Sequence, residues 1–234
     1  MIWNQILTLL FPARCTICDR VLSYGKEGIC EDCEERLEYL TQPLCGKCGK
    51  KIGTEEEFCY DCSRKTHWFT RGVAVFPYSY VRSSLYRFKY AGRAEFARFY
   101  ARQMDLYLGQ QRIRWRPQAL VPVPLHKKKR RLRGYNQAEL VAKELSKLWG
   151  IPVMDNLVVR VKNTRPMKEI DGTKRQNNLK KAFKLGKNDV KLNTIIIIDD
   201  IYTTGSTVDA VAKVCREAGI ETIYVLCISI GHGL

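Results

Sequence analysis

Residues 195–207 have the sequence Ile-Ile-Ile-Ile-Asp-Asp-Ile-Tyr-Thr-Thr-Gly-Ser-Thr, and this stretch decides the fold. A continuous run of β-branched residues that ends at polar residues predicts a strand buried on both faces, which is typical of a parallel sheet. The acid pair Asp199 and Asp200 therefore falls at the carboxyl end of a central strand. Open α/β sheets bind their ligands at that edge.

The loop after the acid pair predicts a site for an anion. It offers hydroxyl groups, a flexible glycine and the free N–H groups of a helix start, which come from Thr203, Thr204, Gly205, Ser206 and Thr207. Carboxylates suit the hydroxyls of a diol and the loop suits a phosphate, so the two together match a ribose 5-phosphate. The alternative is a buried strand followed by an ordinary capped helix. Two adjacent acids are, however, costly to place near a core without a role.

The motif resembles the phosphoribosyl pyrophosphate (PRPP) motif of type I phosphoribosyltransferases, which is an apolar strand, two acids and then Thr-Thr-Gly-x-Thr. The resemblance implies that Asp199 and Asp200 contact the ribose 2′- and 3′-hydroxyls. It also implies that residues 203–207 bind the 5-phosphate. The expected ligand is PRPP or a related ribose phosphate, together with magnesium.

The same resemblance implies where the pyrophosphate of PRPP would lie. In this family the loop after the first core strand holds it, and Lys127 and Arg133 are the candidates here. Arg175, in the polar loop 163–181, is a candidate lid residue that would exclude water. No residue identifies a general acid, a general base or a site for an acceptor.

Cysteine spacing predicts a separate metal-binding module. Eight of the ten cysteines form four Cys-x-x-Cys pairs, and the second two pairs repeat the first two about thirty residues later. This spacing is typical of structural zinc, and the absence of a secretory signal favours reduced thiols over disulfides. Sequential pairing gives Cys15, Cys18, Cys30 and Cys33 in one site and Cys45, Cys48, Cys59 and Cys62 in a second. Interleaved pairing, 15/18/45/48 with 30/33/59/62, stays open.

Charge and hydropathy restrict the partners. The net charge is +16, and residues 67–234 carry all of the excess. A basic domain attracts nucleic acid, anionic lipid and phosphorylated ligands. No apolar run reaches the ~20 residues of a membrane span, and the apolar segment 1–11 is a docking helix or a membrane-surface anchor. We expect a cytoplasmic protein, either free or peripheral at the inner face of the membrane.

Basic residues near aromatic residues indicate single-stranded DNA as a partner, because unpaired bases stack on aromatic rings while cations contact phosphate. Six of the seven residues 127–133 are basic. The DNA-binding candidates are Arg87, Lys89, Lys128, Lys129, Arg130 and Arg131. The alternative is an amphipathic helix pair with solvated arginines.

Strand and helix patterns alternate along the second part of the chain. Strands are predicted at 71–80, on a sheet edge because of its proline, and at 119–124, 157–162, 182–185, 194–200 and 221–228. Helices are predicted at 81–90, 93–108 and 206–218 and in a segment that ends at 149, with a basic linker at 113–118 and a loop at 126–133. The alternation predicts an α/β fold with a three-layer, mainly parallel sheet of the type I phosphoribosyltransferase kind. Three parts are expected: a zinc module of two four-cysteine units at 1–66, a hood or linker region at 67–118, and a phosphoribosyltransferase-like domain at 119–234.

A second resemblance covers nearly the whole chain. The segments that carry it are Val121-Pro-Val-Pro124, Arg133-Gly-Tyr-Asn-Gln137, Arg175-x-x-Asn178 and Ala182-Phe183, and they resemble the ComF family. This family pairs a cysteine-rich zinc module with a phosphoribosyltransferase-like domain. Met167 departs from the family pattern, which has glutamine there.

The ComF resemblance implies a competence protein that serves uptake or processing of single-stranded DNA in natural transformation, with other DNA-uptake proteins as partners. The alternative is an active phosphoribosyltransferase that acts on a nucleobase or another nitrogen acceptor. A zinc-dependent scaffold is a third hypothesis, but it leaves the acid pair and the phosphate loop without a role.

Overall fold

A four-stranded parallel sheet forms the centre of the molecule. The computed structural model describes residues 12–162, 181–186 and 190–231. The strand order is β1-β6-β5-β2, and the strands are β1 (Arg71–Pro77), β2 (Ala119–Pro122), β5 (Thr194–Tyr202) and β6 (Thr222–Ile230). The strand that carries the acid pair, β5, is therefore central, with β2 and β6 on either side. The edge position predicted for β1 from its proline is confirmed.

The remaining elements surround the sheet. Two short strands, β3 (Val158–Arg160) and β4 (Phe183–Leu185), pair antiparallel with each other. The helices in the described residues are α1 (Glu31–Glu34), α2 (Tyr60–Arg64), α3 (Tyr78–Tyr90), α4 (Phe96–Leu108), α5 (Gln111–Trp115), α6 (Lys127–Arg133), α7 (Gln137–Trp149) and α8 (Ser206–Glu217). The loop predicted at 163–181 lies almost entirely outside the described residues, as does Arg175.

The isoleucine run builds both layers of the core because successive side chains of a strand point to opposite faces. Ile196 and Ile198 pack with α3, α4 and α7 on one face of the sheet. Ile195 and Ile197 pack with α8 and with β3 and β4 on the other face. All four isoleucines are fully buried, so the predicted three-layer α/β fold with a mainly parallel sheet is confirmed.

The two cysteine units pack on opposite faces of this sheet. Ile17 and Ile29 of the first unit pack on the α3 and α4 side. Cys45 and Cys48 of the second unit join the core on the α8 side. The N–H of Gly72 in β1 donates to the carbonyl of Lys47 at 2.7 Å, so the second unit also meets the sheet edge backbone to backbone.

Two segments differ from their predicted structure. The linker predicted at 113–118 begins as the end of helix α5, which is anchored by Trp115 stacked on Tyr224 at 4.0 Å. The basic run predicted as a loop is helix α6. His126 Nδ1 accepts a hydrogen bond from the Lys128 N–H at its start, and Gly134 ends it in the left-handed region at φ 83°.

The region predicted as hood or linker contributes to the central sheet. Its strand β1 pairs with β6, in register from Arg71 opposite Tyr224 to Pro77 opposite Ile230. The division of the chain at residues 66 and 118 stays a prediction.

Among the described residues, no helix is both long enough and apolar enough to cross a bilayer.

Candidate functional site

The acid pair lies near the carboxyl end of β5, where it is partly buried. The Asp200 N–H donates to Asp199 Oδ1 at 2.9 Å. Burial raises the pKa of the Asp199 carboxyl, and the negative charge of Asp200 raises it further. The site therefore contains a carboxyl that holds its proton more tightly than an ordinary aspartate.

The loop after β5 depends on a glycine. Gly205 has φ +71°, and a Cβ at this position would lie 2.3 Å from the Tyr202 hydroxyl oxygen. The left-handed backbone and the close ring each exclude a larger residue. Thr204 Oγ1 and Ser206 Oγ lie 2.9 Å apart, and α8 begins at Ser206. Hydroxyls and the first N–H groups of a twelve-residue helix are thus gathered in one loop.

Positive side chains surround the acid pair. Lys89 Nζ lies 2.8 Å from Asp200 Oδ2. Burial lowers the pKa of Lys129, and the neighbouring charges of Arg160, Arg133 and Lys89 lower it further. Burial also lowers the pKa of Arg160, while Asp199 opposes that shift. Repulsion among so many cations is tolerable where an anion neutralises them, so the arrangement suits a ligand with several negative charges.

The predicted pyrophosphate residues have different surroundings. Lys127 is exposed at the start of α6. Arg133 is partly buried, donates to the Tyr90 hydroxyl at 3.1 Å and lies 4.9 Å from the centroid of the Tyr90 ring. Lys129, predicted for DNA, lies one helical turn before Arg133 and close to it. Had the basic run been recognised as a helix, the spacing of four would have placed both residues on one face.

The other residues predicted to bind DNA differ in exposure to solvent. Lys128, Arg130 and Arg131 are exposed on α6, and Arg130 pairs with Glu139 at 3.0 Å. Arg87 instead donates to the Ile17 carbonyl at 2.6 Å. It thereby ties α3 to the first cysteine unit.

Sequence reasoning missed Arg160 as a site residue. It lies on β3, 39 residues before Asp199 in the chain, and no motif surrounds it. No motif in the sequence points to His67 either. His67 is buried and bonded to Asp209 in the first turn of α8. Neither residue carries a local signal because each contact joins distant segments.

The cysteines form two clusters with sequential pairing. Each cluster of four has all its sulfur atoms within 4.8 Å of one another. The sulfurs of Cys18 and Cys30 are 3.7 Å apart, and those of Cys48 and Cys59 are 3.6 Å apart. Tetrahedral zinc with Zn–S bonds of ~2.3 Å requires separations of about 3.8 Å. Both clusters therefore fit structural zinc, and four thiolates leave no open coordination position for chemistry.

The two clusters are copies in their backbone as well. The Cys15 N–H donates to the Arg20 carbonyl at 2.8 Å, and thirty residues later the Cys45 N–H donates to the Lys50 carbonyl at 2.7 Å. Burial opposes ionisation of both Cys15 and Cys45, but backbone N–H groups lower the pKa of each thiol to about 7. The repeat in the sequence is thus a repeated metal knuckle in the structure.

These features define a class: a double zinc-ribbon protein whose second part is built on a parallel α/β sheet, with an acid pair and a glycine-containing loop at one sheet edge. Residues 6–63 match the family model of the double zinc ribbon domain. The chain is 33% identical over 221 residues to Competence protein F of Haemophilus influenzae, covering 92% of this chain and 96% of that protein. The chain belongs to the ComF family.

Two further relatives have similar coverage. DNA utilization protein YhgH of Escherichia coli is 30% identical over 224 residues, which cover 94% of this chain and 98% of that protein. Competence protein ComFC of Bacillus subtilis is 27% identical over 229 residues, which cover 88% and 89%. Adenine phosphoribosyltransferase of Leishmania tarentolae is a solved structure with 14% identity, covering 67% of this chain and 78% of that chain. The TM-score of this match is 0.25.

Proposed function

We propose that this protein binds PRPP at the carboxyl edge of its sheet and acts in the uptake or processing of single-stranded DNA during natural transformation. One observation supports PRPP binding above the others. Two adjacent carboxylates and a loop that requires a glycine follow each other in the chain, and cations from distant segments lie beside them.

Each part of PRPP has a matching group. Asp199 and Asp200 would accept hydrogen bonds from the ribose 2′- and 3′-hydroxyls. The hydroxyls of residues 203–207 and the first N–H groups of α8 would hold the 5-phosphate. Lys129 and Arg133 would hold the pyrophosphate, joined by Lys127 and by Arg175 as predicted from the sequence. Magnesium would neutralise pyrophosphate charge and would keep several of its waters.

Binding requires one exchange of partners at the acid pair. Lys89 occupies an oxygen of Asp200 through a 2.8 Å ion pair. A ribose hydroxyl competes for the same carboxylate, and the incoming pyrophosphate supplies a stronger anion for the ammonium group. We therefore assign Lys89 to the pocket in addition to its predicted role toward DNA.

The outer surface of α6 and α3 supports the proposal for DNA. Lys128 and Arg131 face solvent on α6. Tyr86 is 64% exposed and Tyr90 is 56% exposed on α3, with ring centroids 5.1 Å apart. Exposed aromatic rings beside cations suit stacking of unpaired bases along a phosphate backbone. The relatives named for competence and for DNA utilization support the same partner.

Catalysis is the second candidate function, and the raised pKa of Asp199 favours it. A carboxyl that titrates nearer to neutrality can accept a proton from a nitrogen acceptor as the bond to the ribose forms. The enzyme would then release pyrophosphate from PRPP in the presence of a nucleobase or a related acceptor. No release across a broad panel of acceptors would exclude this activity while leaving PRPP binding intact.

Calorimetric titration with PRPP and magnesium tests the main proposal, with and without an oligothymidylate. We expect binding that Asp199→Asn and Asp200→Asn each weaken at least tenfold. Asp155→Asn, which changes a carboxylate elsewhere on the chain, should bind like the wild type. Absence of binding at millimolar PRPP would contradict the proposal. Competition by DNA would locate both ligands at one site, and independent binding would separate pocket from surface.

We further propose that the protein works in the cytoplasm, free or peripheral at the inner face of the membrane, with other DNA-uptake proteins. A zinc module at 1–66, a hood or linker region at 67–118 and a ligand-binding domain at 119–234 remain the proposed division. The acidic balance of the first part suits it for protein contacts, since DNA would be repelled there. Cell fractionation and affinity capture from competent cells test both statements.

A further inference from the structure

A row of buried contacts joins the second cysteine cluster to the helix that follows the phosphate loop. Cys62 Sγ lies 3.5 Å from His67 Nε2. On the opposite side of the ring, the Nδ1–H donates to Asp209 Oδ2 at 2.8 Å. Asp209 belongs to the first turn of α8. The predicted zinc ligand Cys62 is therefore connected through His67 to Asp209, at the start of the helix that would hold a phosphate.

The carboxylate at the end of this row is held from several directions. The Trp68 N–H donates to Asp209 Oδ1 at 2.9 Å, and Lys65 Nζ lies 2.7 Å from Asp209 Oδ2. The backbone N–H of Asp209 donates in turn to the carbonyl of Gly205, at 2.8 Å. The glycine of the phosphate loop is thus bonded directly to the residue that His67 holds.

Burial makes the connection stiff. The His67 side chain is 0% exposed and that of Asp209 is 8% exposed. The imidazole stacks on Phe69 at 4.8 Å, and Phe69 meets Tyr202, the residue under Gly205, edge to face at 6.3 Å. A shift of the ring cannot be absorbed by solvent and must be passed to its neighbours.

We propose that His67 is a positioning residue that makes binding of a ribose 5-phosphate by residues 203–207 depend on zinc in the second cluster. The proposal rests on the proposed function, because the ligand is the phosphate end of PRPP. Zinc fixes Cys62, the sulfur fixes the ring of His67, and the ring fixes Asp209 and the first turn of α8. Partners one step beyond the metal ligands commonly change affinity or activity by about 10–100-fold when removed.

Substitution of the ring separates this role from packing. His67→Phe keeps an aromatic ring against Phe69 but removes both nitrogen contacts. We expect two zinc ions per chain by mass spectrometry and an affinity for magnesium–PRPP at least about tenfold lower by calorimetry. The control Asp61→Asn removes an ion pair with Lys50, 2.5 Å long, in the same cysteine unit but not toward α8. It should bind PRPP like the wild type.

Thermodynamic reciprocity gives a second readout. If zinc favours PRPP binding, PRPP must favour zinc binding by the same factor. PRPP should therefore raise the equilibrium affinity for one of the two zinc ions in the wild type, so that a higher chelator concentration is needed to remove it, and should have no such effect in His67→Phe. If His67→Phe itself loses zinc, Asp209→Asn tests the proposal instead, and it should retain both zinc ions and bind PRPP more weakly. Its side chain is bonded to Lys65, His67 and Trp68 and to no cysteine among the described residues.

Wild-type PRPP affinity in a His67→Phe protein that retains both zinc ions would overturn the proposal. Absence of PRPP binding in the wild type would instead overturn the proposed function. In that case, amide hydrogen exchange of residues 203–209 tests the connection alone. Faster exchange in zinc-loaded His67→Phe than in the wild type supports it, and equal exchange overturns it.

Discussion

At the residue scale, the acid pair places function and stability in opposition. Burial removes the hydration that the charged form of Asp199 needs, and repulsion by the negative charge of Asp200 raises the pKa of Asp199 further. The folded state therefore binds this proton more tightly than the unfolded state. Between the ordinary aspartate pKa of about 3.9 and the raised value, Asp199 makes the protein less stable as the pH rises.

We predict that Asp199→Asn raises the melting temperature at pH 8 while it weakens PRPP binding. A rise of about 2–4 °C corresponds to about 1 kcal/mol in a protein of this size. The gain should shrink as the pH is lowered toward the ordinary aspartate range, since the wild-type carboxyl is then neutral as well. Calorimetric scans from pH 8 to pH 5 measure it.

Asp200→Asn is the matched comparison at the same site. It removes the partner of Lys89 and leaves that ammonium group beside Lys129. Its melting temperature should fall rather than rise. If the melting temperatures of both variants fell equally, the prediction would be wrong. The cost of burying the Asp199 charge would then be offset by contacts that only the charged carboxylate makes.

Single residues were predictable where one short segment contains the whole pattern. Asp199, Asp200 and Gly205 belong to one run of eleven residues that begins with a buried strand, so their position at the carboxyl edge of the sheet could be inferred from order alone. Lys89 and Arg160 reach the same site from α3 and β3. Nothing in their local sequence encodes that meeting, which the packing of separate elements produces.

At the scale of elements, helix α6 presents its basic residues in two different surroundings, and the proposed function assigns a different ligand to each. Lys129 lies close to Arg133, four residues later, and to Arg160 and Lys89. Lys128 and Arg131 are exposed instead. A loop was predicted here because the segment follows the first core strand, where the resemblance to phosphoribosyltransferases implies a pyrophosphate loop. Like charges three and four residues apart also destabilise an isolated helix. Two contacts oppose that effect: the local cap from His126 at the start of the helix and the Arg130–Glu139 ion pair with the next helix.

We predict that two pairs of substitutions on α6 weaken the binding of two different ligands. Lys128→Ala with Arg131→Ala should weaken binding of a single-stranded oligonucleotide and lower its salt slope by about 1.4, for two lost phosphate contacts. Affinity for PRPP should stay unchanged. Lys129→Ala with Arg133→Ala should weaken PRPP binding at least tenfold. Anisotropy over a salt series and calorimetry give the two readouts, and equal effects of both pairs on both ligands would refute the separation.

At the scale of the whole molecule, one sheet lies between two metal knuckles that repeat each other in sequence but differ in burial. In the second cluster Cys45, Cys48 and Cys59 are buried in the core that also contains β5 and α8. In the first cluster Cys18 is exposed, and much of the attachment to α3 runs through polar contacts such as Arg87 to Ile17. The repeat predicted two equivalent zinc sites, but the sequence could not show that they lie on different faces of the sheet.

Loss of the second zinc should therefore destabilise the protein far more than loss of the first. We predict that Cys48→Ser and Cys18→Ser each reduce the metal content from two zinc ions per chain to one, measured by mass spectrometry. Cys48→Ser should lower the melting temperature by at least twice as much, because it places an uncompensated cluster of thiols inside the shared core. Cys215→Ala, buried on α8 outside both clusters, should retain both zinc ions. If Cys18→Ser proved the more damaging variant, the first knuckle would be the one that contributes more to the stability of the sheet, and the prediction would be wrong.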